Sequence, residues 1–93
     1  TKSGIESLTK SMASCWASHK VRVNCVAPGF IKSNTINKIL QEYDNKDQIV
    51  ERIPLKRFGL PEEVAEAVMF LTSQGASYIT GSTIFVDGGY SLS

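Results

Sequence analysis

Ninety-three residues with ten Lys and Arg against nine Asp and Glu, a formal net charge of +1, leave room for one compact domain at most. A 42% apolar and 20% charged share excludes an intrinsically disordered chain, and the near-neutral balance gives no electrostatic footprint for nucleic acid or an anionic membrane. No apolar run approaches the ~20 residues that span a bilayer, and no apolar leader follows the polar start.

An intracellular setting, cytoplasmic or organellar, is therefore expected, with no targeting signal in view. The chain opens on Thr1 rather than Met and reads as a piece of a longer protein. Cys15 and Cys25 have neither CxxC nor Cys/His spacing, and His19 is the single histidine. Two reduced, mostly buried thiols and no metal site are expected.

Residues 3–18 have helical periodicity. Ile5, Leu8, Met12, Cys15 and Trp16 form one apolar stripe, flanked by the small Ala13 and Ala17, while Glu6 and Lys10 form an i,i+4 pair on the polar face. Val21 to Ala27, stopped by Pro28-Gly29, is short and rich in β-branched residues, so it reads as a strand. Apolar residues on both alternation phases suit an interior strand of a parallel sheet. A helix leading into such a strand marks an α/β protein.

Ile36, Ile39, Leu40 and Tyr43, then Ile49, Val50 and Ile53, place two short helical pieces around the polar Asp44–Asp47 break. This segment, 34–53, reads either as a lid or as an ordinary surface helix pair. A further helix begins at Pro61, with Glu62 and Glu63 at the positive end of its dipole. It is apolar nearly all round and so expected to be well buried, with Gly75 placed to cap it. Ser82–Val86 reads as a second strand, closed by Asp87-Gly88-Gly89, which is a tight turn or a ligand loop. The order is helix, strand, lid, helix, strand.

Periodicity and motif spacing show no nucleophile–base pair and neither GxGxxG nor GxxxxGK[ST]. The adjacent Glu62 and Glu63 point apart on a helix, so they do not form an acid/base dyad.

Five blocks in order nevertheless resemble the short-chain dehydrogenases/reductases. They are Thr1-Lys2-Ser3-Gly4, Leu8–Ser11, Arg22–Ile31 with its Asn-Cys-Val-Ala-Pro-Gly core, Arg57–Ala65, and Tyr78–Gly81 continuing to Val86–Gly89. Together they cover nearly the whole chain outside the lid. The resemblance implies the C-terminal portion of a doubly wound, Rossmann-type parallel sheet: the last two strands, their helices and the substrate lid, so that residues 1–93 are a fragment of a single domain.

The same resemblance implies an oxidoreductase using NAD or NADP, with hydride transfer on a carbonyl/alcohol pair or an enoyl substrate. Lys2 matches the lysine of the family's Tyr-x-x-x-Lys motif, whose tyrosine would precede Thr1. It would hydrogen-bond the nicotinamide ribose and lower the pKa of that tyrosine. Without the family, Lys2 is an ordinary solvated lysine near a helix start. Pro28, Gly29 and Ile31 fall where open α/β sheets bind ligands, past a strand's C-terminal end. By resemblance, Ile31 offers its backbone N–H and C=O to the nicotinamide carboxamide, and Ser33 stands where family members usually carry a phosphate-contacting Thr. Asn24 and Asp87 are expected to hydrogen-bond backbone, and Arg57–Pro61 to position the following helix.

Ile31–Thr35, with Trp16-Ala17 and Ile53–Arg57, is similar to peroxisomal trans-2-enoyl-CoA reductases, although the terminal Ser91-Leu92-Ser93 is not the Ser-Lys-Leu address. A 3-oxoacyl reductase or a polyol dehydrogenase fits almost as well. The full-length protein is expected to be a homo-oligomer, dimer or tetramer, acting on a small molecule, and this piece alone to be inactive. The alternative is a non-catalytic truncated module that pairs with full-length subunits through its first helix.

Overall fold

The computed structural model describes residues 2–32 and 46–92. The elements are helix α1 (Lys2–Trp16), strand β1 (Cys25–Pro28), helix α2 (Lys46–Glu51), helix α3 (Pro61–Leu71) and strand β2 (Thr83–Val86), with 3-10 turns at Ala17–His19, Gln74–Ala76 and Tyr90–Leu92. The strands form a two-stranded sheet. The Cys25 N–H donates to Ser82 O (2.9 Å) and the Gly29 N–H to Val86 O (3.0 Å). Both partners advance in the same direction, so the pair is parallel, as an α/β fold requires. The expected helix–strand–helix–strand order is thus present. The second of the two helical pieces expected in the lid is α2, and the first lies outside the described residues.

Two compact units are distinguished, residues 1–27 with 66–84, and residues 28–65 with 85–93. In the first, α1 ends in a Schellman arrangement. The Lys20 N–H bonds Ala17 O (3.0 Å), the Val21 N–H bonds Trp16 O (3.3 Å), and Lys20 sits in the left-handed region at φ 62°. The buried face of α1 is Thr9 and Ala13. The Thr9 hydroxyl is satisfied by Ile5 O (2.8 Å), and Ala13 lies so close to Gly81 that a Cβ on the glycine would sit 3.5 Å from it. The apolar stripe is the exposed one: Ile5 is 54% and Leu8 59% accessible, and Cys15 is also exposed. The expectation of buried thiols fails at Cys15. Cys25 is half-buried, and both cysteines are free.

The strand expected from Val21 begins only at Cys25: ahead of it the Gly81 N–H reaches Val23 O (2.7 Å), but the neighbouring backbone groups are taken by side chains. Arg22 donates to Ile79 O (3.1 Å) and Leu71 O (2.8 Å), and Asn24 donates to Ile79 O (2.9 Å) while accepting from the Ser82 N–H (3.1 Å). The Val23 N–H goes to the Thr80 hydroxyl (3.0 Å). Asn24 thereby plays its expected backbone-bonding role. Helix α3 also corrects an expectation: Leu71 is buried, but Val68, Met69 and Phe70 are exposed, Met69 to 68%. Gly75 is not the cap. It lies within the 3-10 turn, and the last carbonyls of α3 are met by the Thr72 hydroxyl on Met69 O (2.8 Å) and the Ser73 hydroxyl on Phe70 O (2.6 Å).

The second unit is built around Ile53, 2% accessible. Gly88 and Gly89 have φ of 63° and 92°, a conformation open to glycine. They press so closely on Ile53 and Pro54 that a Cβ at either would lie 2.9 Å from a neighbouring side-chain carbon. The Leu55 N–H adds a bond to Gly88 O (3.1 Å). The turn is pinned by Asp87, whose carboxylate accepts the N–H groups of Gly89 (2.9 Å) and Ser91 (3.1 Å). Asp87 therefore bonds backbone as expected.

Candidate functional site

The strand β1 ends at Pro28, and the chain turns through Gly29 and Phe30 to Ile31. Three contacts within the second unit hold this loop. Gly29 passes so near Asp87 that a Cβ on it would lie 2.7 Å from the Asp87 Cβ and 2.9 Å from its Cα. Only a glycine fits there without parting the two segments. Ile31 and Gly59 form a parallel bridge, in which the Gly59 N–H donates to Phe30 O (3.0 Å) and Gly59 O accepts the Lys32 N–H (2.8 Å). Peptide groups of an extended chain alternate in direction. Since the groups flanking Ile31 are those turned to Gly59, Ile31's own N–H and C=O face the opposite side.

The third contact is aromatic. The Phe30 ring stacks on Phe58 (centroids 6.3 Å apart, 28° between planes) and meets Tyr90 edge-on (5.2 Å, 85°). The Arg52 guanidinium carbon lies 5.9 Å from the Tyr90 ring centroid, within cation–π range. Beside Phe30 a cavity of about 440 Å³ opens, lined by Phe85, Pro54, Leu55 and the Gly88-Gly89 turn, with Arg57 and Glu63 at its polar part.

Arg57 and Glu63 form a two-point pair, Nη1 to Oε1 at 2.9 Å and Nη2 to Oε2 at 2.8 Å. Glu63 Oε1 also accepts the Leu60 N–H (2.9 Å), which is half of a capping box at the start of α3. Bonded first to Arg57 and then to the Leu60 N–H, the Glu63 carboxyl is held down to about 2, and Arg57 is raised in turn. Arg57–Pro61 thus positions α3, as expected, and Gly59 additionally braces the loop after β1.

Of the expected site residues, Pro28, Gly29 and Ile31 come together in this loop. Lys2 opens α1 in the first unit, and Ser33 lies outside the described residues. Sequence reasoning missed the bracing roles of Phe58, Gly59 and Tyr90. A signal existed only for Gly59, where a Cβ would come 2.9 Å from Ile31 Cδ1. Among the described residues no three His, Cys, Asp or Glu side chains are grouped to hold a metal ion, and no helix is long and apolar enough to cross a membrane.

A family model described as enoyl-(acyl carrier protein) reductase matches residues 1–91. The 3-oxoacyl-[acyl-carrier-protein] reductase of Staphylococcus epidermidis is 52% identical over 89 residues, which are 96% of this chain and 36% of that protein. Among solved structures, a protein from Agrobacterium tumefaciens described as a 2-deoxy-D-gluconate 3-dehydrogenase, with bound NADP, superposes with a TM-score of 0.90 at 38% identity, covering 99% of this chain and 37% of the other. A short-chain dehydrogenase/reductase family oxidoreductase from Burkholderia thailandensis gives 0.88 at 36% identity, covering 99% and 36%. The chain spans 35–36% of the length of the first curated relatives it matches. With the parallel strand pair, the glycine-dependent turn after β1 and these matches across nearly all of its length, the chain belongs to the short-chain dehydrogenase/reductase family.

Proposed function

We propose that these residues are the C-terminal part, lid included at about 34–53, of an NAD- or NADP-dependent oxidoreductase that acts on a small carbonyl/alcohol or enoyl substrate and works as a homo-oligomer. When bound, the nicotinamide nucleotide supplies or accepts the hydride. The observation that carries this reading is the outward direction of Ile31's N–H and C=O at the C-terminal end of a parallel strand, where α/β sheets bind ligands. A donor and an acceptor on one side of one residue match a nicotinamide carboxamide, which carries both N–H donors and a C=O acceptor. Gly29 lets the loop run close to Asp87, and Pro28 ends the ladder just before it. Ser33 would offer its hydroxyl to the cofactor phosphates. Lys2, at the first turn of α1, would bond the ribose and, as a cation, favour the ionised form of the tyrosine in the family's motif. The bound NADP of the Agrobacterium relative supports the same cofactor class.

The ion pair Arg57–Glu63 is bonded to itself and to the start of α3, so it has a structural task and no proton-transfer role in this proposal. The decisive experiment is Ile31→Pro in the full-length enzyme. The Ile31 N–H is not one of the groups bonded to Gly59, so its loss leaves the bridge bonds in place. NAD(P)H affinity, read by fluorescence titration, should fall about tenfold, the loss of one desolvated hydrogen bond. Unchanged affinity would refute the role of the loop.

A further inference from the structure

We propose that Tyr90 is a positioning residue for the cofactor loop: by holding Phe30 edge-on, it fixes the direction in which Ile31 presents its N–H and C=O. This inference rests on the function proposed above for Ile31.

Phe30 precedes Ile31, and its carbonyl is the one bonded to the Gly59 N–H (3.0 Å). The Phe30 side chain is held at two angles, near-parallel on Phe58 and near-perpendicular on Tyr90. Two rings at such different inclinations restrict rotation about both χ angles of Phe30, which a single stacking partner does not. Tyr90 is itself fixed. Its N–H bonds Asp87 O (3.1 Å), it starts the 3-10 turn Tyr90–Leu92, and the Asp87 carboxylate holds the N–H groups on both sides of it, at Gly89 and Ser91. The Arg52 guanidinium lies over the same ring. Since Arg52 directly follows α2, the end of the segment read as a lid is tied to the ring that orients the loop. The orientation of Ile31's peptide groups thus depends on the ring that holds its neighbour Phe30.

The test uses the full-length enzyme and two ligands. Reduced nicotinamide nucleotide engages Ile31, whereas ADP-ribose, with its 2′-phosphate for an NADP enzyme, lacks the nicotinamide. Tyr90→Ala should weaken the complete nucleotide about three- to tenfold, the range of an aromatic pair, and change ADP-ribose less than twofold. Tyr90→Phe, which keeps the edge-on ring, should restore the wild-type ratio. Equal weakening of both ligands, or weakening of neither, would overturn the inference, as would failure of Tyr90→Phe to restore the ratio. If Ile31→Pro weakens the nucleotide and Tyr90→Ala does not, the role of Tyr90 alone falls. If Ile31→Pro has no effect, the loop assignment falls and this inference with it.

Discussion

Replacing Gly29 by alanine should separate the end of β1 from the turn after β2. The added Cβ would stand 2.7 Å from the Asp87 Cβ, 2.9 Å from its Cα and 3.5 Å from its carbonyl oxygen. Carbon atoms in contact prefer about 3.5–4.0 Å, so the overlap is about 1 Å. It falls on backbone and on the first side-chain carbon, neither of which can rotate away. Asp87 cannot yield cheaply either, because its carboxylate accepts two N–H groups of its own turn. The loop must therefore move, at the expense of the Gly29 N–H bond to Val86 O. Overpacking of this kind costs about 1–3 kcal/mol, and the weakened hydrogen bond adds about 1 kcal/mol. Urea unfolding of the full-length protein at fixed concentration should show a loss of about 2–4 kcal/mol, with nucleotide affinity lowered as well. Gly59→Ala is the control. Its Cβ would meet Ile31 Cδ1 at 2.9 Å, the far end of a flexible side chain, so it should cost less than about 1 kcal/mol. If the two substitutions cost the same, the rigid approach of Gly29 to Asp87 is not what selects glycine there.

The Glu63 carboxyl, lowered from 4.5 to about 2 in the folded chain, contributes stability that is present above its unfolded value and is lost as pH falls through the interval from 4.5 to about 2. Glu63→Gln should flatten the decline of melting temperature across that interval, and an unaltered decline would show that Arg57 and the Leu60 N–H do not govern it. In the full-length enzyme Lys2→Met should lower turnover by orders of magnitude and move the pH–rate profile to higher pH, each unit of tyrosine pKa being worth about 1.4 kcal/mol. An unmoved profile would leave Lys2 a surface residue. The 93-residue chain alone should show no NAD(P)H turnover with carbonyl substrates. It should also self-associate in sedimentation, because Ile5, Leu8, Trp16, Val68, Met69 and Phe70 are all exposed. A monodisperse monomer with a cooperative melt would contradict this.

Local signals placed the elements well. Pro61 with Glu63 three positions into the helix located α3, and the β-branched Thr83–Val86 run before Asp-Gly-Gly located β2. What periodicity could not supply was which face each element buries. The apolar stripe of α1 is its strongest sequence feature, yet the residues it buries are Thr9 and the small Ala13, the latter in contact with Gly81. Likewise Val21–Asn24 has strand composition, but Arg22 and Asn24 bond carbonyls of the chain opposite, which no alternation pattern reveals.

The candidate site divides the same way. Gly29 and Ile31 were legible through the family's Pro-Gly motif, a local string, whereas the bracing of that string by Phe58, Gly59 and Tyr90 joins segments distant in sequence. Ile31 has no unusual side chain to advertise a role. In the function proposed above its role rests on the direction of its peptide groups, and that direction is imposed by its neighbours' bonds to Gly59. A backbone site of this kind tolerates side-chain change at Ile31 itself while depending on residues that set the path of the chain. The physical consequence is that substitutions at Gly29 and Tyr90 should disturb nucleotide binding more than an Ile31→Val exchange, which keeps both peptide groups.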